Sequence, residues 1–322
     1  MFYQRHVWRL GIGVVFSMDQ QNSEENIVRR KWNVSSKDKY ENRPLRFAWQ
    51  NRTVSKFIND HYLGGSYGVM YVLKNYMEER IINKALELGG GIGDTALRLH
   101  DLCDIREFTV IEISDYCVEL GNKRSVEHNL NIHFMQGDLN YLELPTETYD
   151  LIVANGSLHH INRLEHLFSQ VSSALTDGGV FFANDYMGPS YMQWTKVQLH
   201  IMNSILSCFP DRYARTSYRN NETCKTIKPI PMEIFQRYDP SEGVRAADIF
   251  KVMSTHLNVI RVIPICHSIL YELLRGRIHN FDNDDLQDRF ILELICMFER
   301  ILYDYAVIDS DFNLVIAERR TQ

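Results

Sequence analysis

The chain lacks the basic excess that holds polyphosphate backbones: 35 Lys and Arg stand against 41 Asp and Glu, a formal net charge of −6. Nucleic acid is thereby excluded as the main partner, although a local basic patch stays open. Long apolar runs are missing as well. No stretch approaches the roughly 20 residues that a bilayer-crossing helix needs, which excludes a membrane span. The six cysteines (Cys103, Cys117, Cys208, Cys224, Cys266 and Cys296) form no C-x-x-C pair and have no histidine at zinc-ligand spacing. No metal is therefore expected, and the thiols fit a reducing compartment. Neither an internal repeat nor a low-complexity tract stands out. A cleavable leader is not supported either: the apolar LGIGVVF near the N-terminus is short, and no small-x-small site follows it before the polar DQQNSEEN. A start upstream of Met18, or a disordered tail, accounts for that segment, and a cytoplasmic protein is expected.

What is present is enough apolar sequence for a substantial core, 45% against 24% charged, in a length that fits one large domain carrying a cap. Residues 1–44 read as a flexible leader. Residues 45–80 read as a helical cap, with Phe57, Ile58, Tyr62, Val69, Val72, Leu73 and Tyr76 at helical spacing around the hinge LGGSYG. Over 81–186, strand-like runs (IINKALEL, FTVIEIS, NIHFMQ, YDLIVAN, VFFANDY) are separated mostly by amphipathic segments such as Leu164, Leu167, Phe168, Val171 and Leu175, a βαβ series. The alternation stops over 187–257 and resumes with NVIRVIPI and FNLVIAERR in 258–322. The expected fold is α/β, a doubly wound Rossmann-like, seven-stranded, mostly parallel sheet with a helical insertion between strands 5 and 6.

In open α/β sheets ligands bind beyond the carboxyl ends of the strands, where strand order reverses. After the first strand come Glu87, Gly89, Gly90, Gly91 and Gly93, where bare backbone can approach a nucleotide. The second ends in Glu112 and Ile113, a carboxylate placed to accept from ribose hydroxyls. The third leads to Asp138 and Leu139, an acceptor for an adenine amino group with apolar surface beside it. The fourth leads to Asn155 and Gly156, and LTDGG turns the chain into the fifth. Each has a plainer reading: a closed loop at the glycines, a solvated strand end at Glu112, a helix N-cap at Asp138.

Taken jointly, ELGGGIG with its acidic-x-G-x-G-x-G spacing, the acid of the second strand, the G-D pair, YDLIVANGSLHHI and LTDGG resemble the class I S-adenosylmethionine-dependent methyltransferases in order and spacing. The resemblance implies S-adenosylmethionine as cofactor. Glu87 and the glycine turn would hold its methionine end, Glu112 the ribose, and Asp138 with Leu139 the adenine; Asn155 and Gly156 would lie near the sulfonium. The segment after the fifth strand is similar, more loosely, to bacterial methyltransferases of glycan and specialised-metabolite pathways. That similarity implies methyl transfer to a hydroxyl, or next an amine, of a small-molecule acceptor.

Such a transfer needs a base only where the acceptor must lose a proton. The candidates are His159, His160 and Asp185, although a histidine there can instead pack its loop and Asp185 can orient or cap. Tyr186, Tyr191 and Trp194 are candidate aromatic contacts to the acceptor. Arg212, Arg215, Arg219, Lys225 and Lys228 form either a solvated face or a site for an anionic acceptor. A homodimer is the candidate assembly. Two rival functions stay open: a nicotinamide oxidoreductase, which would want G-x-G-x-x-G and a catalytic Tyr/Lys pair, and a methyltransferase fold serving as an inactive binding module.

Overall fold

The computed structural model describes residues 15–16, 28–29, 31–33, 47–78 and 80–320. The flexible leader expected over 1–44 therefore falls mostly outside the described residues. Seven strands form the main sheet: β1 (Ile82–Leu88), β2 (Ile105–Glu112), β3 (Ile132–Gln136), β4 (Tyr149–Asn155), β5 (Leu175–Tyr186), β6 (Leu257–Cys266) and β7 (Phe312–Arg319). Their order is β6-β7-β5-β4-β1-β2-β3, and β7 alone runs antiparallel to its neighbours. The α/β, mostly parallel, seven-stranded architecture read from the sequence is the one found.

Helices on both faces cover the strands, which is why β1, β2 and β4 carry unbroken buried runs rather than alternating ones. After α1 (Arg52–His61) and α2 (Val69–Met77), the crossovers are α3 (Asp94–Leu102), α4 (Asp115–Glu127) and α5 (Leu164–Ala174). Asn51 caps α1 by accepting from the Thr53 and Val54 amides, and Ser114 caps α4. Gly93 enters α3 at φ 84°, and a Cβ there would lie 2.3 Å from Phe134 Cζ. Gly121 of α4 faces the same ring, also at 2.3 Å. Two glycines thus let α3 and α4 close over β3. LTDGG is absorbed into the start of β5, where the pairing register shifts between Tyr149 and Leu151 and Gly178 takes φ 71°.

Between β5 and β6 lie α6 (Lys196–Cys208), α7 (Met232–Tyr238) and α8 (Ile249–His256). α8 packs against α5, so the last turn of this excursion belongs to the layer covering the sheet. The long α9 (Leu286–Asp304) precedes β7 and packs on α1. Since β1 pairs with both β2 and β4, strand order reverses at β1, and the crevice beyond β1 and β4 is where a ligand belongs.

Candidate functional site

A cavity of about 650 Å³ opens in that crevice, and the carboxyl ends of β1 to β4 supply its wall. The glycine turn shapes one side. Gly89 (φ 73°) and Gly91 (φ 57°) adopt the left-handed conformation, and a Cβ on Gly89 would come within 2.5 Å of Ser157 Cβ. Gly90 lets the turn fold back onto Glu87, since a Cβ there would meet Val110 at 2.4 Å and the Glu87 carboxyl carbon at 2.8 Å. Glu87 itself is only 1% exposed, and its Oε2 has no hydrogen-bond partner among the described residues. Burial pushes its pKa up to about 8; hydrogen bonds from Thr95 and the Ala96 amide oppose the rise, and the charges of Glu112 and Asp94 add to it. A buried carboxyl with an orphaned oxygen at a cavity wall suits a cationic ligand group such as an ammonium.

Glu112 joins the two first turns. Its Oε2 accepts from the Gly91 amide and its Oε1 from the Ser114 amide, each at 2.9 Å. Every carboxylate oxygen has more than one acceptor lobe, so hydroxyls in the cavity can still be held. Ile113 lines the cavity beside it. Asp138 caps the short 3₁₀ turn Leu139–Tyr141 by accepting from the Asn140 amide at 2.8 Å, and both Asp138 and Leu139 face the cavity. Asn155 donates to Thr95 Oγ1 and accepts from Asn184 Nδ2. Gly156 (φ 72°) has open space where a side chain would be.

The structure gathers Glu87, Gly89, Gly90, Gly91, Glu112, Ile113, Asp138, Leu139, Asn155 and Gly156 around this one cavity. Gly93 is a correction: it stands against Phe134 and serves helix packing. Asp185 is another. It is 1% exposed, and its carboxylate accepts from the amides of Ser157 (2.8 Å), Leu158 (2.7 Å) and Tyr186 (2.8 Å) and is bonded to His159 Nδ1 (2.6 Å). It holds the β4 loop in place and does not line the cavity.

The two histidines diverge. Burial works to lower the pKa of His159, but the charge and hydrogen bond of Asp185 and the nearby Glu242, 3.6 Å from Nε2, outweigh it and the net shift is upward. His160 lines the cavity, with Nδ1 3.1 Å from Ser241 Oγ. Burial, the neighbouring His159 and the Lys31 ammonium hold its pKa well below the usual histidine range. A neutral imidazole therefore faces the cavity, while Asp185 and Glu242 shift the neighbouring His159 the opposite way.

Of the three aromatic candidates, Tyr191 lines the cavity. Tyr186 and Trp194 correct the expectation: both are buried outside it, and the Tyr186 hydroxyl donates to the Pro189 carbonyl at 2.7 Å. Arg212, Arg215, Arg219, Lys225 and Lys228 are exposed and likewise lie off the cavity wall. Arg212 pairs with Asp288 and Lys225 with Asp211.

Sequence reasoning missed Val28 and Trp32 in the leader and Met232, Gln236 and Ser241 of the insertion, all of which line the cavity. Trp32 meets the His160 ring edge-on at 4.9 Å, and Lys31 beside it pairs with Asp239. A tryptophan inside the otherwise polar VRRKWNV was the available signal.

Residues 85–179 match the methyltransferase domain family. Over 191 residues the chain is 23% identical to the uncharacterized methyltransferase YcgJ of Bacillus subtilis (strain 168), covering 56% of this chain and 73% of that one. It is 29% identical over 107 residues to the 27-O-demethylrifamycin SV methyltransferase of Amycolatopsis mediterranei (strain S699), covering 33% of this chain and 39% of the relative's length. In fold it is similar to the geranyl diphosphate C-methyltransferase of Streptomyces coelicolor A3(2), solved with Mg2+, geranyl diphosphate and S-adenosyl-L-homocysteine. The TM-score is 0.50 at 12% identity, over 94% of this chain and all of that one. Fold and domain match together define a class I S-adenosylmethionine-dependent methyltransferase. The matched segment, residues 85–179, is a methyltransferase domain, and S-adenosylmethionine is the cofactor. Among the described residues no helix is long and apolar enough to cross a membrane.

Proposed function

We propose that the protein methylates a hydroxyl of a small-molecule acceptor, a sugar or a specialised metabolite, and that His160 takes up the proton the hydroxyl gives up. The observation that carries this reading is the position of the His160 imidazole on the cavity wall, kept neutral by burial and by the neighbouring His159 and Lys31. The cofactor supplies a methyl activated on a sulfonium. Glu87 holds its ammonium end, Glu112 its ribose, and Asp138 with Leu139 its adenine. Asn155 and Gly156 border the reacting end.

The acceptor lies between His160, Trp32, Tyr191, Met232, Gln236 and Ser241, where aromatic and apolar surface excludes water and Gln236 and Ser241 orient polar groups. Asp185 acts through the loop and through His159, as a positioning residue. Similarity to an O-methyltransferase of a rifamycin supports the hydroxyl acceptor. Amine methylation is the second reading, since an amine that binds unprotonated needs no base.

Mass-spectrometric screening of sugars and metabolites for the gain of one methyl identifies the acceptor. With it in hand, His160→Ala lowers kcat about 10²–10⁴-fold, the usual span for a lost base, and leaves cofactor affinity in place. Wild-type turnover in that variant would leave positioning alone as the source of rate and remove the base.

A further inference from the structure

A chain of hydrogen bonds runs from the leader through the insertion to His160. Asp239, the residue after α7, is 5% exposed. Its Oδ1 accepts from the Ser241 amide at 3.2 Å and from the Ser241 hydroxyl at 2.6 Å. Its Oδ2 pairs with the Lys31 ammonium, which also lies over the Trp32 ring. Ser241 Oγ lies 3.1 Å from His160 Nδ1. A hydroxyl has a single hydrogen, and a carboxylate can only accept. Ser241 therefore gives its hydrogen to Asp239 and meets His160 as an acceptor. For a neutral ring that leaves one arrangement, the proton on Nδ1 and the lone pair on Nε2. The Ser241 carbonyl, an acceptor only, likewise favours a proton on the ring.

We propose that Asp239 and Ser241 are positioning residues for the methyl transfer: they fix the tautomer of His160, so that Nε2 takes the proton of the acceptor hydroxyl. This rests on the reading of His160 as the base. As the methyl passes from the sulfonium sulfur to the acceptor oxygen, the O–H bond breaks, an Nε2–H bond forms and a neutral thioether leaves. The positive charge lost at sulfur reappears on the imidazolium. Asp239 Oδ2, 3.9 Å from Nδ1, faces that charge, while the Nδ1–H bond to Ser241 is kept throughout. His159, whose ring lies 4.1 Å away, has its own Nδ1 bonded to Asp185 and does not compete for Ser241.

The tautomer can be read without the acceptor, by ¹⁵N NMR of the histidine-labelled full chain with S-adenosylhomocysteine bound, the His160 signals being those that His160→Ala loses. The wild type should show Nδ1 protonated and Nε2 bare. Asp239→Asn keeps the shape but should turn its oxygen to Lys31 and its NH₂ to Ser241. The hydroxyl must then donate to His160 Nδ1, and the tautomer should reverse. With an acceptor in hand, kcat of that variant should fall about 10²–10⁴-fold, with the KM for S-adenosylmethionine unchanged. Combined with His160→Ala, it should cost nothing further. Ser241→Ala should release the ring to a mixture of tautomers, and Ser241→Thr should restore the single one. A wild-type ring protonated on Nε2, or one that keeps its Nδ1 proton in both Asp239→Asn and Ser241→Ala, would overturn the proposal. Wild-type turnover in His160→Ala would overturn the base itself, a failure that the tautomer readout separates from failure of the chain.

Discussion

A carboxyl with a pKa near 8 is about 90% protonated at pH 7, so binding an ammonium beside Glu87 must expel a proton. The sign follows from linkage. Between pH 6 and 8 the empty site holds the proton and the filled site does not, so affinity for S-adenosylhomocysteine should rise about tenfold per pH unit and level off above 8. At pH 7 about 0.9 proton should be released per ligand bound. Calorimetry in two buffers of different ionisation enthalpy reads that number directly. Glu87→Gln should abolish both the release and the slope.

Lys31, also brought to about 8 by burial, stands beside Asp239 and is retained in the variant, so its contribution subtracts out. Stability shifts in the opposite sense. The folded pKa lies above the unfolded value of 4.5, so the empty protein's stability from this group is full below pH 4.5 and is lost as pH rises through 8, by on the order of 5 kcal/mol. The Gln variant should flatten that decline. Proton release that is absent in the wild type, or unchanged in Glu87→Gln, would refute the placement of the ammonium.

Glu112→Ala should weaken S-adenosylhomocysteine binding by about 1–3 kcal/mol, since charged acceptors to ligand hydroxyls are lost; unchanged affinity in a titration would mislocate the ribose. Asp185→Asn turns an acceptor-only group toward three amides and an imidazole, and denaturant unfolding should show a loss of about 2–4 kcal/mol. The same variant should lower the His159 pKa in NMR titration, because the charge that raises it is gone.

Local sequence carried the sheet and the donor side of the cavity for one reason: parallel strands joined by right-handed crossovers must bring their carboxyl ends to one edge. Glu87, Glu112, Asp138 and Asn155 could therefore be placed near one another without coordinates. Gly93 looked like part of the same turn, but whether a glycine faces ligand or a ring depends on Phe134, some forty residues away. The acceptor side was far less legible. Tyr186 and Trp194 look as available as Tyr191 in the linear chain, and only packing turns the first two inward.

Periodicity and a glycine turn thus determined the fold class and the strand-end crevice where the candidate cofactor residues gather, because both follow from backbone geometry that neighbouring residues dictate. Tertiary structure alone decided that Asp185 is consumed by three amides and His159, that His160 is the neutral imidazole at the cavity, and that Trp32 of the leader lies against it. Those outcomes depend on which distant groups desolvate or charge a side chain, and that depends on contacts that spacing along the chain does not encode.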